Sequence, residues 1–157
     1  MNGPPSLATS LVGEAAQTAF GARLAKVCRP PLLVYLQGDL GTGKTTLTRG
    51  LLRGLGHHGA VKSPTFTLIE PYELNGERIY HLDLYRVGDP NELEYLGLRE
   101  MLADDALILI EWPERGEGWL PSPDLWIRLR HLRDGRRIEL QGITQRGEAV
   151  LGALTQV

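Results

Sequence analysis

Cysteine is almost missing from this 157-residue chain, where Cys28 stands alone. One thiol can close no internal disulfide and build no cysteine-based zinc cluster; its expected place is the core, as a small apolar side chain. Charge of one sign is also lacking, since 17 Lys and Arg face 19 Asp and Glu for a net charge of -2. That balance has none of the basic surplus with which a protein grips nucleic acid by charge alone. Residues 1–10 show no basic n-region and no long apolar run, the two marks of a secretory leader. No stretch approaches the roughly 20 apolar residues of a membrane span. The expected setting is the cytoplasm, with no membrane partner. Internal repeats and low-complexity tracts are absent too.

What remains is the composition of an ordinary globular domain, 42% hydrophobic and 23% charged, at a length that can bury a core of its own. The expected organisation is a single domain over residues 1–157, with 1–13 a loose N-terminal segment. Glu14 to Cys28 reads as an amphipathic helix through Ala15, Ala19, Leu24 and Val27, stopped by Pro30 and Pro31. Leu32 to Leu36 and Ala106 to Ile110 are short, continuous apolar runs, the pattern of strands buried on both faces. Between them, Lys44 to Leu55 sets Leu47, Leu51, Leu52 and Leu55 on one side of a helix.

Phe66 to Tyr72 and Arg78 to Leu84 flank Asn75-Gly76, a strong hairpin signal. Asp89, Pro90 and Glu92 have the spacing of a capping box with proline at the first helical position, predicting one helix from Asp89 to about Leu102. Leu125 to Arg130 alternates apolar and polar, and Asp134-Gly135 turns it into Ile138 to Leu140. A short helix closes the chain. Buried strands interleaved with helices predict an α/β fold. With the hairpins added, the expected architecture is a P-loop NTPase-type mixed sheet flanked by helices.

Gly38-Asp39-Leu40-Gly41-Thr42-Gly43-Lys44-Thr45 matches G-x-x-x-x-G-K-[ST] in full. Its glycines let successive N–H groups curl inward into an anion nest at a helix N-terminus. Lys44 supplies a mobile positive charge for phosphate oxygens, and the Thr45 hydroxyl suits Mg²⁺. The strand before the loop and the helix after it are the context the motif requires. Thr46 is expected to join Gly38 to Thr45 in binding the nucleotide.

Hydrolysis needs acids as well. Asp83 and Glu111 each fall at the end of a predicted strand, where ligands of open α/β sheets bind. Asp83 reads equally as such an acid and as a capping or salt-bridged carboxylate beside Arg86. Glu111 closes an apolar strand in the manner of a Walker B acid. Thr65, in Ser63-Pro64-Thr65, suits a switch loop or an ordinary turn. Trp112 reads as core, with packing over the nucleotide site the alternative.

Absences narrow the ligand. No N-K-x-D or D-x-x-G motif of a GTPase occurs, no LSGGQ-like signature of a transporter, and no Arg-rich kinase lid. Two other readings stay open: a small-metabolite kinase, and a module that docks a partner when ATP is bound.

Read in order, Gly38-Asp39-Leu40-Gly41, Gly43-Lys44-Thr45-Thr46, Val61-Lys62-Ser63-Pro64-Thr65, His81-Leu82-Asp83-Leu84-Tyr85-Arg86, Asp89-Pro90-Asn91-Glu92-Leu93-Glu94 and Ile110-Glu111-Trp112-Pro113 resemble the TsaE family. These are bacterial ATPases needed to make threonylcarbamoyladenosine in tRNA. The resemblance runs from about Glu14 to Leu140. It implies a small mixed-sheet ATPase acting with TsaB and TsaD, with tRNA met only through that assembly. TsaD transfers the threonylcarbamoyl group to the adenosine next to the anticodon, while the TsaE ATP cycle supports repeated turnover. The implied cofactors are ATP and Mg²⁺. Residue by residue, the resemblance makes Lys44 the phosphate-holding cation, Thr45 and Glu111 the Mg²⁺ holders, and Asp83 the acid that positions water. It places Thr65 in a mobile loop, and Glu14 and Arg136 near the adenine side. Phe66 stands where the family commonly has tyrosine.

Overall fold

The computed structural model describes residues 5–61, 64 and 68–157. Its elements run β1 (Ser6–Leu11), α1 (Glu14–Ala25), β2 (Leu32–Gln37), α2 (Lys44–Gly54), β3 (Ile69–Leu74), β4 (Glu77–Asp83), α3 (Glu92–Tyr95), α4 (Leu98–Ala103), β5 (Ala106–Glu111), a 3-10 turn (Pro113–Gly116), β6 (Leu125–Leu132), β7 (Gly135–Gly142) and α5 (Gln145–Leu154). The strands form one sheet in the order β1-β7-β6-β2-β5-β4-β3. Strands β6, β2, β5 and β4 are mutually parallel, and antiparallel partners finish both edges.

The two apolar runs became the centre of the sheet for the reason their composition gives. Alternate residues of β2 and β5 enter different cores. Leu32, Val34, Leu107 and Leu109 pack with Phe20 and Leu24 of α1 and Leu47, Leu51 and Leu52 of α2. Leu33, Tyr35, Ile108 and Ile110 pack with Leu93, Leu98 and Met101 on the opposite side. A fully buried leucine contributes about 1.5–3 kcal/mol, so a polar residue in either run would be costly. Cys28 is buried as expected, and burial pushes its thiol up to about 12.

The Asn75-Gly76 hairpin forms as predicted. Leu74 pairs with Glu77, leaving those two residues as the turn, and both adopt positive φ, 53° and 77°. This is the backbone that matches strand twist. Asn75 Nδ2 also donates to the Leu55 carbonyl at 2.9 Å, tying the hairpin tip to the end of α2.

Several expectations need correction. Residues 6–11 of the supposedly loose segment form β1, which pairs antiparallel with β7 and buries Leu11. In α1 the buried side is Gln17, Phe20, Gly21, Leu24 and Ala25, while Ala15 and Ala19 are exposed. The single helix from Asp89 is two short helices, broken at Gly97, whose φ of 76° lies outside helical backbone. Asp89 caps neither: its Oδ1 accepts from Asn91 N at 3.0 Å, a local Asx turn. Strand β3 begins at Ile69; Ser63, Thr65 and Phe66 lie outside the described residues.

Candidate functional site

Parallel strands β2, β5 and β4 end on the same edge of the sheet, at Gln37, Glu111 and Asp83. The chain leaves β2 through Gly38 to Gly43 and re-enters regular structure as α2 at Lys44. Gly43, at φ 97° and ψ 22°, makes the turn into the helix. A Cβ there would overlap Gln17 Nε2 and lie 2.7 Å from Gln17 Cδ, so any other residue must push the Gln17 amide aside. Gln17 Nε2 in turn donates to the Thr42 carbonyl at 2.9 Å, and Thr42 Oγ1 donates to the Asp39 carbonyl at 2.8 Å. The loop is therefore braced from inside. The opening turn of α2 leaves its amides without intrahelical acceptors, facing the hollow as ready anion donors.

Lys44 is only 5% exposed. Its Nζ donates to the Gly38 carbonyl and to the Asp39 carbonyl at 3.1 Å, and sits 4.6 Å from the centre of the Trp112 ring. Burial holds its ammonium below the ordinary lysine range, opposed by the charges of Glu111 and Asp83. Asp83 shifts the other way: burial, as the largest cause, raises its carboxyl above the usual range. The Tyr85 amide, donating to Oδ1 at 2.9 Å, pulls it back in part. Asp83 and Glu111 are direct neighbours in the β4–β5 register, which puts both carboxylates on one side of the hollow.

The hollow itself measures about 360 Å³ and is lined by Lys44, Thr45, Thr46, Asp83, Glu111 and Trp112, with Leu40, Gly41, Gly43 and Tyr85 around them. A second hollow of about 340 Å³ shares Gly41, Gly43 and Thr46 with it and brings in Glu14 and Arg136. Those two distant residues thus flank the loop. Glu14 pairs with Arg49 at 3.1 Å, and Arg136 donates to the Gly41 carbonyl at 3.2 Å. Gly38 and Asp39 border a different hollow, of about 510 Å³, and offer carbonyls to Lys44 instead of lining the main one. Thr42, 1% exposed, serves the loop's interior. Thr65 lies outside the described residues.

Three residues gained importance beyond their first reading, Gln17 and His81 with no role assigned from the sequence. Trp112, read chiefly as core, lies over Lys44 and takes left-handed backbone, φ 57°, to do so; its ring is 4.9 Å from that of Tyr85. Gln17 braces the loop. His81 lies wholly buried against Glu111, with Nε2 2.6 Å from Oε2. The alternation of Ile79, His81 and Asp83 along one face of β4 was the available signal for it.

Among the described residues, no group of three or more His, Cys, Asp and Glu is arranged to hold a metal unaided. Mg²⁺ seldom needs one, because it keeps its waters and is held by one or two protein groups together with phosphate oxygens. Thr45 and Glu111, which line one hollow together with Lys44, fit that demand.

Strand, glycine-rich loop, helix and a carboxylate closing the adjacent parallel strand define an α/β protein of the P-loop NTPase type. The family described as threonylcarbamoyl adenosine biosynthesis protein TsaE matches residues 11–138. A tRNA threonylcarbamoyladenosine biosynthesis protein TsaE from Haemophilus influenzae is 44% identical over 155 residues, covering 96% of this chain and 98% of that one. The Bacillus subtilis protein of the same name is 41% identical over 119 residues, 76% of this chain and 74% of its own. A crystal structure of Bacillus subtilis YdiB superposes with a TM-score of 0.85 at 30% identity, covering 99% of this chain and 98% of that one. The chain belongs to the TsaE family.

Proposed function

We propose that this chain binds and hydrolyses Mg-ATP in the cytoplasm, in support of TsaB and TsaD, during threonylcarbamoyladenosine modification of tRNA next to the anticodon. It does not transfer the threonylcarbamoyl group itself. The observation that carries the reading is the β4–β5 register, which sets Asp83 beside Glu111 at the mouth of the loop that holds Lys44 and Thr45.

In this reading the α2 amides and Lys44 bind the phosphates, and Lys44 exchanges its carbonyl partners on Gly38 and Asp39 for phosphate oxygens. Thr45 and Glu111 would hold Mg²⁺, which when bound supplies positive charge to the transferring phosphoryl group. Asp83, with its raised proton affinity and its orientation fixed by the Tyr85 amide, positions the attacking water and accepts its proton. Trp112 shields Lys44 from solvent, which strengthens the lysine's electrostatic hold. Glu14 and Arg136, which line the adjoining hollow, would meet the adenine side of the nucleotide.

Lys44 is the one cation among the described residues lining the main hollow. An arginine finger is worth about 10³–10⁵ in rate, so with no arginine among the described residues lining that hollow we expect slow ATP hydrolysis by the chain alone. Steady-state ATPase rates should therefore be low alone and rise when the TsaB–TsaD pair is added; equal rates would sink the partner-stimulated reading. Phosphate appearing in a small acceptor would favour the kinase reading instead. In reconstituted tRNA modification, Asp83→Ala should bind ATP and partners yet fail. Full modification by that variant would leave only a nucleotide-dependent docking module.

A further inference from the structure

His81 is a polar side chain set among apolar ones, two residues short of the acids that end its face of the sheet. Leu107 and Leu109 of the neighbouring strand and Ile79 of its own are core residues there, and His81 is 0% exposed among them. A buried imidazole in that setting costs free energy that an apolar residue of similar size would not. Its Nε2 lies 2.6 Å from Glu111 Oε2, and Glu111 is itself 3% exposed. The other ring nitrogen, Nδ1, is buried and has no hydrogen-bond partner among the described residues.

A carboxylate oxygen only accepts, so the 2.6 Å contact calls for a hydrogen on Nε2, donated to Glu111. Glu111 is long and rotatable, and a carboxylate with one oxygen tied down presents the other in a single direction. His81 does not line the hollow.

We infer that His81 is a positioning residue: its Nε2–H clamps Glu111 Oε2 from beneath the sheet's edge, and so presents the remaining oxygen to the metal. The inference rests on the Mg-ATP reading above, in which Glu111 holds Mg²⁺. Carboxylates that bind metals are themselves held by hydrogen bonds, and losing such a support costs about 10–100-fold in metal affinity.

The test uses Mn²⁺ as the metal probe, titrated by electron paramagnetic resonance against the full chain with a non-hydrolysable ATP analogue. His81→Leu should weaken Mn²⁺ binding by about 10–100-fold, while analogue binding in excess chelator stays unchanged. His81→Gln, which keeps a donor at similar reach, should regain most of the affinity. Parental Mn²⁺ affinity in His81→Leu overturns the inference, as does a Gln variant as weak as the Leu variant. If His81→Leu fails to fold, the parent decides by ¹⁵N–¹H correlation of the histidine rings, with His57, His58 and His131 assigned by substitution. An Nε2–H tautomer at His81 supports the clamp, and an Nδ1–H tautomer overturns it. A parent chain that binds no Mn²⁺ with the analogue overturns the Mg-ATP reading and the inference together. Parental binding that ignores His81 overturns the inference alone.

Discussion

Replacing Gly43 by alanine should show how tightly the phosphate loop is built. At φ 97° a Cβ meets strain of about 1–2 kcal/mol from its own backbone. It also displaces the Gln17 amide, whose Nε2 it would overlap. Gln17 then loses its 2.9 Å bond to the Thr42 carbonyl, leaving a buried acceptor unmatched at a cost of about 1–3 kcal/mol. The alanine recovers about 0.4–1 kcal/mol by stiffening the unfolded chain. The net expectation is a destabilisation of about 1–5 kcal/mol, read from urea unfolding at pH 7 by linear extrapolation.

The same structure predicts strong coupling. In a Gln17→Ala background the hydrogen bond is already gone and there is room for the new Cβ, so Gly43→Ala should then cost only the backbone strain. A double-mutant cycle should show an interaction of about 1–3 kcal/mol. Strict additivity would refute the reasoning, because it would mean that Gln17 is not what the methyl group meets.

Lys44→Ala should weaken ATP-analogue binding by about 10–100-fold, the worth of a charge-assisted contact, while thermal unfolding stays cooperative; loss of the transition would contradict a role confined to the site. Asp83→Asn should make the folded chain more stable at neutral pH although hydrolysis is lost. Burial raises the folded carboxyl above its unfolded value of 3.8, so the parent loses stability as pH climbs through that window. The stability gap between variant and parent should therefore vanish below about pH 3.8 and open above it, and a gap that ignores pH would count against the assignment. Asn75→Ala removes the bond to Leu55 and forces alanine to φ 53°. It should cost about 2–4 kcal/mol by chemical denaturation, and a loss under 0.5 kcal/mol would show that the hairpin tip is not anchored to α2.

How much of this was legible beforehand depended on whether a local signal outweighed its surroundings. Continuous apolar runs betrayed β2 and β5, and Asn75-Gly76 betrayed the hairpin, because in each case neighbouring residues alone decide the outcome. The loop from Gly38 to Thr45 was legible for the same reason, as were two acids closing strands. β1 was not. Leu7, Thr9 and Leu11 do alternate inward, but the strand exists only because β7 offers it an edge. The break at Gly97 was hidden by the capping pattern at Asp89, which the backbone used for a local turn. His81 and Gln17 were the hardest to see. Each acts on a residue 25 or more positions away, and no spacing rule reports such a meeting.

The parallel register of β4 and β5 carries one more implication. Adjacent strands in a sheet keep a separation of about 4.8 Å, and Asp83 and Glu111 sit on the same rung. The sheet therefore acts as a ruler: the main-chain anchors of the two acids cannot drift apart or together without shearing a core packed on both faces. Only side-chain length is left to set where each charge ends. Aspartate on one rail and glutamate on the other stagger their tips by a single methylene. Exchanging the two residues would keep every charge and every anchor while reversing that stagger, which makes the pair a lock that reads reach rather than charge.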